Sequence, residues 1–317
     1  MSKIFIHSCH AALEYDQALM FGRMGHQVAG NFDVGSNQRP KLPSTEVSHP
    51  YEEGLEFADM YLMHQCEDYS NVFERYCRQR GYKRPVVLIN FGQGCMEQHK
   101  QVVGVLATYT NAWLVNYSKT DHNRMLKLGA PENKMEMIRF GKDLEDYRKL
   151  GGWTGRLPMA YMSCNSIMRR GGGCGWDFLK NLYEKSNIPI LLGGRENEEV
   201  PFGIGEQSYA SLQSMYRNAR CYITLGTQPA PYVLTLVEAM CAGCPVIAFD
   251  NGCGIRDEDL GVIVAETAGD IYREVMRLCN EWNSARAYSI RMLAAANREF
   301  DLEVVAEKWE KFMERMF

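Results

Sequence analysis

The five residues Pro245–Phe249 (PVIAF) carry no polar side chain at either alternating position. A strand that is apolar on both faces has to be covered on both, as in a parallel sheet wrapped by helices. The residues around it fit that setting. Leu225–Gly254 reads as a strand end, a Pro-rich loop, a short helix, a tight turn and this buried strand. The helix carries one carboxylate, Glu238, which the spacing places close to its start. A loop feeding a helix N-terminus at a sheet edge can hold an anion, because the first N–H groups lack helical partners. A carboxylate beside it can accept hydrogen bonds from a sugar diol. Together these features point to a site for a nucleotide-sugar.

The same alternation runs through the chain. Lys3–Ser8, His26–Gly30, Met60–Met63, Pro85–Asn90, Ala112–Asn116 and Met135–Arg139 read as strands. Ala12–Met24 has helical spacing and stops at Gly25; Val72–Arg80 and Asp121–Leu128 are further helical stretches. Lys149–Pro158 is Gly-rich and reads as an interdomain linker. A second series follows with Met159–Ser163, Ile188–Leu192, Cys221–Thr224, Pro245–Phe249 and Gly261–Val264. Ser284–Phe317 reads as helices broken near Phe300–Asp301. Strands alternating with helices predict doubly wound parallel sheets. The expected architecture is α/β, with two Rossmann-like domains facing across a cleft. Residues 1–148 form the acceptor domain and 149–300 the nucleotide-sugar domain. The helix 301–317 packs back on the first.

With 317 residues the chain is long enough for two cores. The formal charge of −4 gives no global attraction to nucleic acid or an anionic membrane. No apolar run approaches the roughly 18–20 residues that span a bilayer. Eleven cysteines without an export signal suggest reduced thiols and a cytoplasmic location.

Glu238-Ala239-Met240-Cys241-Ala242-Gly243-Cys244-Pro245-Val246 resembles the donor-binding motif of GT-B fold, retaining glycosyltransferases of the glycosyltransferase group 1 family. Other passages match in order: Gly22–Val28, Ala58–His64, and Asn116–Asp143 with Ser118, Gly129, Gly141 and Asp143 in place. Gly205–Ala219 with Cys221–Thr224 is similar to the segment that precedes the donor loop. The resemblance implies transfer of a sugar, typically from a UDP-linked donor, with retention of configuration. It implies no metal and no other cofactor. It also implies that Glu238 takes the ribose hydroxyls.

Two departures stand out. The family has a second Glu eight residues before the first; here that position is Ala230. The family also has an Arg and a Lys after the first strand of its donor domain. Those positions fall on Cys164 or Asn165 and on Cys174. Arg169 and Arg170, next to three glycines, stand in the same loop, and Arg195 follows Gly193-Gly194. Each is a candidate phosphate ligand. Thr227 and Gln228, with the backbone of Tyr232, Val233 and Leu234, complete the donor-side set.

On the acceptor side the candidates are His7, His10, His64 and Asn90, all at strand ends, with His99 as a substitute. His7-Ser8-Cys9-His10 lacks a second ligand cluster for a metal. Cys241 and Cys244 have redox spacing but sit on the family's helix-end motif. Trp176 and Trp309 read as packing residues. The acceptor is open: a glycan, a lipid-linked sugar or a hydroxylated DNA base. Other readings are a nucleotide-sugar-binding module without catalysis and a GT-B-type nucleotide-sugar epimerase.

Overall fold

The computed structural model describes residues 1–7, 11–30, 45–47, 54, 56–64, 73–79, 81–91, 96–228 and 230–317. The chain forms two compact units, Met1–Gly141 with Leu302–Phe317, and Lys142–Asp301.

The first unit is built on β1 (Lys3–His7), β2 (Gln27–Gly30), β3 (Thr45–Val47), β4 (Met60–His64), β5 (Val86–Asn90), β6 (Ala112–Asn116) and β7 (Met135–Met137). All neighbours pair in parallel, in the order β3-β2-β1-β4-β5-β6-β7. The central β4 and β5 are buried at every position, as their unbroken apolar runs predict. Helices α1 (Ala11–Arg23), α2 (Met96–Thr108) and α3 (Lys119–Lys127) belong to this unit. Gly25 takes φ +84° just beyond α1. The helix expected over Val72–Arg80 is a π-helical turn, Glu74–Gln79, within the described residues.

The second unit carries α4 (Leu144–Arg148), β8 (Leu157–Ser163), the short turn α5 (Ile167–Arg170), α6 (Trp176–Ser186), β9 (Ile190–Gly193), α7 (Tyr209–Asn218) and β10 (Ala219–Thr224). It continues through α8 (Leu234–Cys241), β11 (Val246–Phe249), β12 (Ile263–Ala265), α9 (Ala268–Asn280) and α10 (Trp282–Glu299). Its sheet is parallel, in the order β12-β11-β10-β8-β9. The core gathers Ile223, Ile247, Leu192, Leu179, Ile271 and Val275, all fully buried. Helix α9 opens with a capping box. Asp270 N–H donates to Thr267 Oγ1 at 3.1 Å, and Thr267 N–H donates to Asp270 Oδ2 at 2.9 Å. Thr267→Ala is therefore expected to cost about 1 kcal/mol, read as a lower urea midpoint at unchanged slope.

The units divide at Gly141–Lys142, ahead of the boundary expected at 148–149. Lys149–Pro158 is correspondingly no linker, since both α4 and β8 lie in the second unit. Trp153 explains why. Its ring stacks on Trp282 at 5.2 Å and 8°, and its Nε1–H donates to the Ala219 carbonyl at 2.8 Å. Arg217 Nε–H donates to the Gly152 carbonyl at 2.8 Å, and Thr154 N–H to the Arg217 carbonyl at 2.9 Å. The glycines give turns to a stretch that these contacts fix on the sheet.

After Asp301 the chain forms α11 (Leu302–Met313), which belongs to the first unit. Trp309 meets Phe21 edge-on at 5.2 Å, and Phe312 meets Trp113 at 5.9 Å. Arg315 Nη1 donates to Glu136 Oε2 at 2.7 Å.

Candidate functional site

In the second sheet β8 has β9 on one side and β10 on the other. The order of connection reverses there, and ligands of open α/β sheets bind outside the carboxyl ends of strands at such a point. The loops leaving β8, β9, β10 and β11 are Cys164–Gly175, the stretch from Gly194, Leu225–Val233 and Asp250–Gly254.

One buried side chain ties the first two loops together. Asn197 Nδ2 donates to the carbonyls of Cys164 at 2.6 Å and Gly194 at 3.1 Å, while its Oδ1 accepts from Ile167 N–H at 3.1 Å. Ser166 sits at φ +51°, and its N–H donates to the Arg195 carbonyl at 2.7 Å. A non-glycine residue in the left-handed region is held there by its surroundings. Arg195 N–H donates to Asn165 Oδ1 at 3.0 Å.

Arg169, Arg170 and Arg195 therefore stand on two loops stapled together. All three are exposed. Arg169 pairs with Glu196 at 3.4 Å and Arg195 with Glu206 at 3.8 Å, contacts that solvent weakens. Arg170 Nη1 lies 3.7 Å from Cys164 Sγ.

The loop after β10 is pinned from several sides. Gln228 N–H donates to the Gly173 carbonyl at 3.2 Å, its Nε2 to the Asn251 carbonyl at 3.4 Å, and Ala230 N–H to the Thr227 carbonyl at 2.8 Å. Pro229 lies outside the described residues. Ala230 is 1% exposed, so it is packing rather than an open gap. The Tyr232 side chain is also buried, edge-on to Phe300 at 6.2 Å. Val233 then caps α8, with no side-chain hydrogen bond at the cap. A Val cannot cap as Ser, Thr, Asn or Asp does. The N–H groups of Val233, Leu234 and Thr235 precede the first helical hydrogen bond and have no acceptor within the helix.

Glu238 lies near the start of α8, as its spacing predicts. Helix α8 begins at Leu234, so the carboxylate lies in the second turn. It is buried. Its Oε1 accepts from Lys142 Nζ at 3.2 Å and its Oε2 from the Tyr216 hydroxyl at 3.3 Å. Burial and then the Glu238 charge push the Tyr216 hydroxyl far above its usual pKa. Tyr161 and Tyr222 both pack edge-on to Tyr216, at 5.7 and 5.5 Å. Each carboxylate oxygen keeps a further lone pair for a ligand hydroxyl.

In the first unit the acceptor-side candidates form an internal polar network. His64 is fully buried. Its Nε2 meets Gln17 Oε1 at 2.6 Å and its Nδ1 lies 3.3 Å from Glu14 Oε1. Gln17 Nε2 donates to the Tyr117 hydroxyl at 2.6 Å, and Asn90 Nδ2 to Asn116 Oδ1 at 2.9 Å. His7 Nδ1 faces the Tyr61 hydroxyl at 3.1 Å. Burial, with the nearby His64 charge, lowers the His7 pKa from 6.5 to about 4, against a smaller upward pull from Glu14. The unfolded chain thus binds a proton before the folded one does. Stability is expected to fall as pH drops from about 6.5 toward about 4. His7→Gln should flatten that slope in urea midpoints measured across the range. His10 lies outside the described residues. His99 is buried on α2.

Cys241 and Cys244 are buried at the end of α8 without a disulfide, and burial pushes the Cys244 thiol up. Among the described residues no three His, Cys, Asp or Glu side chains are grouped to hold a metal. No helix there is long and apolar enough to cross a membrane.

Residues 191–290, from β9 through the first half of α10, match the family model described as glycosyl transferases group 1. Three solved structures align over almost their whole length. Anabaena HepE in complex with UDP and glucose has a TM-score of 0.75 at 12% identity, covering 99% of this chain and 100% of that one. A glycosyltransferase from Rickettsia africae has 0.73 at 12%, covering 99% and 98%. Sucrose-phosphate synthase from Thermosynechococcus elongatus has 0.70 at 13%, covering 100% and 99%. The fold is that of the GT-B glycosyltransferases. A search of the curated proteins finds no match. The group 1 stretch contains Arg195, Thr227, Gln228, the start of α8 and Glu238; Arg169 and Arg170 precede it.

Lys142, Tyr216 and Asn197 were not singled out by the sequence. Lys142 stands between the matched Gly141 and Asp143, which is the signal that could have found it.

Proposed function

We propose that the chain is a GT-B glycosyltransferase that moves a sugar from a UDP-linked donor to an acceptor hydroxyl with retention of configuration. The observation that carries this reading is the uncapped start of α8 beside the strand-order reversal, with arginines on the adjoining loops. In it, the N–H groups of Val233, Leu234 and Thr235 meet the diphosphate. Arg169, Arg170 or Arg195 offsets the charge that builds on the leaving UDP. Glu238, oriented by Lys142 and Tyr216, takes the ribose hydroxyls on its remaining lone pairs. The reading calls for no covalent nucleophile, metal or other cofactor. It places the protein in the cytoplasm.

The relatives support the donor class: HepE structures hold UDP, UDP with glucose, and UDP-glucose. The acceptor is a glycan, a lipid-linked sugar or a hydroxylated DNA base, and acceptor binding that weakens steeply with salt would single out DNA. UDP at about 100 times its Kd should stabilise the folded chain by about 2.7 kcal/mol in thermal denaturation. No stabilisation by any nucleoside diphosphate would end the donor-site reading. Ala230, buried where the family carries a Glu, favours one second reading, a binding module without catalysis. Binding with neither transfer nor hydrolysis of UDP-sugars would select it.

A further inference from the structure

The first unit carries a groove of about 700 Å³ between the end of α1 and α11, made of residues that the proposed function leaves unused. Its floor is apolar: Met20, Leu302 and Met313 line it and are buried. Glu303, Glu307, Glu310 and Glu314 line it as well, and all four are exposed. They recur at steps of four, three and four residues, which puts them in one row along α11 and the turn beyond it. Against these four carboxylates stands one arginine, Arg23.

Helix α10, in the second unit, presents the complementary surface. Arg286, Ile290, Ala294 and Arg298 follow one another at steps of four, with Ala287 and Arg291 alongside, and all six are exposed. Ile290 is 61% exposed, an aliphatic knob set among arginines. No carboxylate stands among the exposed residues of α10. Arg298 pairs with Glu299 at 2.8 Å, a contact that solvent weakens, and Arg291 lies over the Tyr288 ring at 5.9 Å. The two rows match in length: at a rise of about 1.5 Å per residue, Glu303 to Glu314 spans about 17 Å and Arg286 to Arg298 about 18 Å.

We propose that the groove of one copy of this chain receives α10 of a second copy, in a head-to-tail contact. Ile290 fills the apolar floor, and Arg286, Arg291 and Arg298 meet the glutamate row. Methionine and arginine are the residue types that such contacts favour. The apolar knob leaving water holds the copies together, while the opposite charges steer the encounter and fix the register. The two surfaces differ, so the contact is heterologous: each pairing leaves one groove and one α10 open, and assembly continues to a ring or a filament.

Sedimentation velocity on the whole chain is the test. From about 1 to about 100 µM the weight-average mass should rise above that of one chain, and salt at about 0.5 M should reverse the rise by screening the exposed charges. Two double variants carry the decision. Glu307→Arg with Glu310→Arg reverses the groove, and Arg286→Glu with Arg291→Glu reverses α10. Each should sediment alone as a monomer. Mixed in equal amounts they should form a dimer and stop there, because the first keeps a working α10 and the second a working groove. Ile290→Asp alone should weaken association about tenfold. Circular dichroism checks that every variant is folded, as substitutions at exposed positions should leave it. A wild-type chain that stays monomeric at every concentration overturns the proposal, even if the groove binds a cationic peptide. Double variants that associate as the wild type does, or a mixture that stays monomeric, overturn it too.

Discussion

Lys142→Ala is expected to lower the stability of the second unit by about 3–5 kcal/mol. The ammonium is fully buried and bonded to Glu238 at 3.2 Å. Removing it leaves a carboxylate inside the unit with one hydroxyl partner, Tyr216, and no countercharge. The cost lies in that orphaned charge more than in the lost bond. Glu238→Ala should also destabilise the unit, by removing the carboxylate countercharge of a fully buried ammonium. Glu238→Gln keeps an oxygen for Lys142 and should lose less. The double variant Lys142→Met with Glu238→Gln should recover part of the single losses, since no buried charge remains. The measurement is the urea midpoint at unchanged slope, followed by tryptophan fluorescence; Trp153, Trp176 and Trp282 all lie in this unit. A loss within about 1 kcal/mol for both single variants would mean the pair is far better hydrated than its burial indicates. For function, a folded Glu238→Gln protein should bind UDP about tenfold more weakly, because the neutral amide oxygen is a poorer ribose acceptor.

Gly194→Ala carries the second large effect. Gly194 sits at φ +128°, and a Cβ there would lie 2.3 Å from the Cys164 carbonyl oxygen. That oxygen cannot step aside, because Asn197 Nδ2 holds it at 2.6 Å. An alanine must both adopt a backbone conformation reserved for glycine and push apart the stapled loops. The expected cost is about 3 kcal/mol of stability. UDP affinity should fall with it, since the displaced loops carry Arg170 and Arg195. Gly172→Ala is the control: its Cβ would meet nothing within 4 Å, and stability should stay within about 0.5 kcal/mol. Equal stability of the two variants would show that the loops after β8 and β9 are not rigidly joined.

What the sequence made legible follows from where each signal resides. β4, β5 and β11 announce themselves because burial on both faces forces unbroken apolar runs. β3 is three residues long, and α2 opens on Met96-Glu97-Gln98-His99-Lys100, so neither offers a contiguous apolar pattern. The unit boundary is not legible in the glycines, because glycine frequency looks the same in a linker and in a stretch that Trp153 anchors. Of the site, the start of α8 and Glu238 could be read because loop, helix and strand are adjacent in sequence. The partners of Glu238 could not. Lys142 and Tyr216 reach it from distant segments, and no local spacing records that meeting. The Asn197 staple is hidden for the same reason, as a polar residue among the neighbouring glutamates of its loop.

The return of α11 to the first unit has a consequence for how the protein is made. The second unit is one continuous stretch of chain and can close its core once Asp301 has emerged from the ribosome. The first cannot: Trp309 and Phe312, which pack on Phe21 and Trp113, are translated after the whole of Lys142–Asp301. At typical translation rates that is a wait of roughly 10–30 s. The first unit is thus begun first and finished last. During that interval the surface that α11 covers stands open on the nascent chain, and the later-made unit matures before the earlier one.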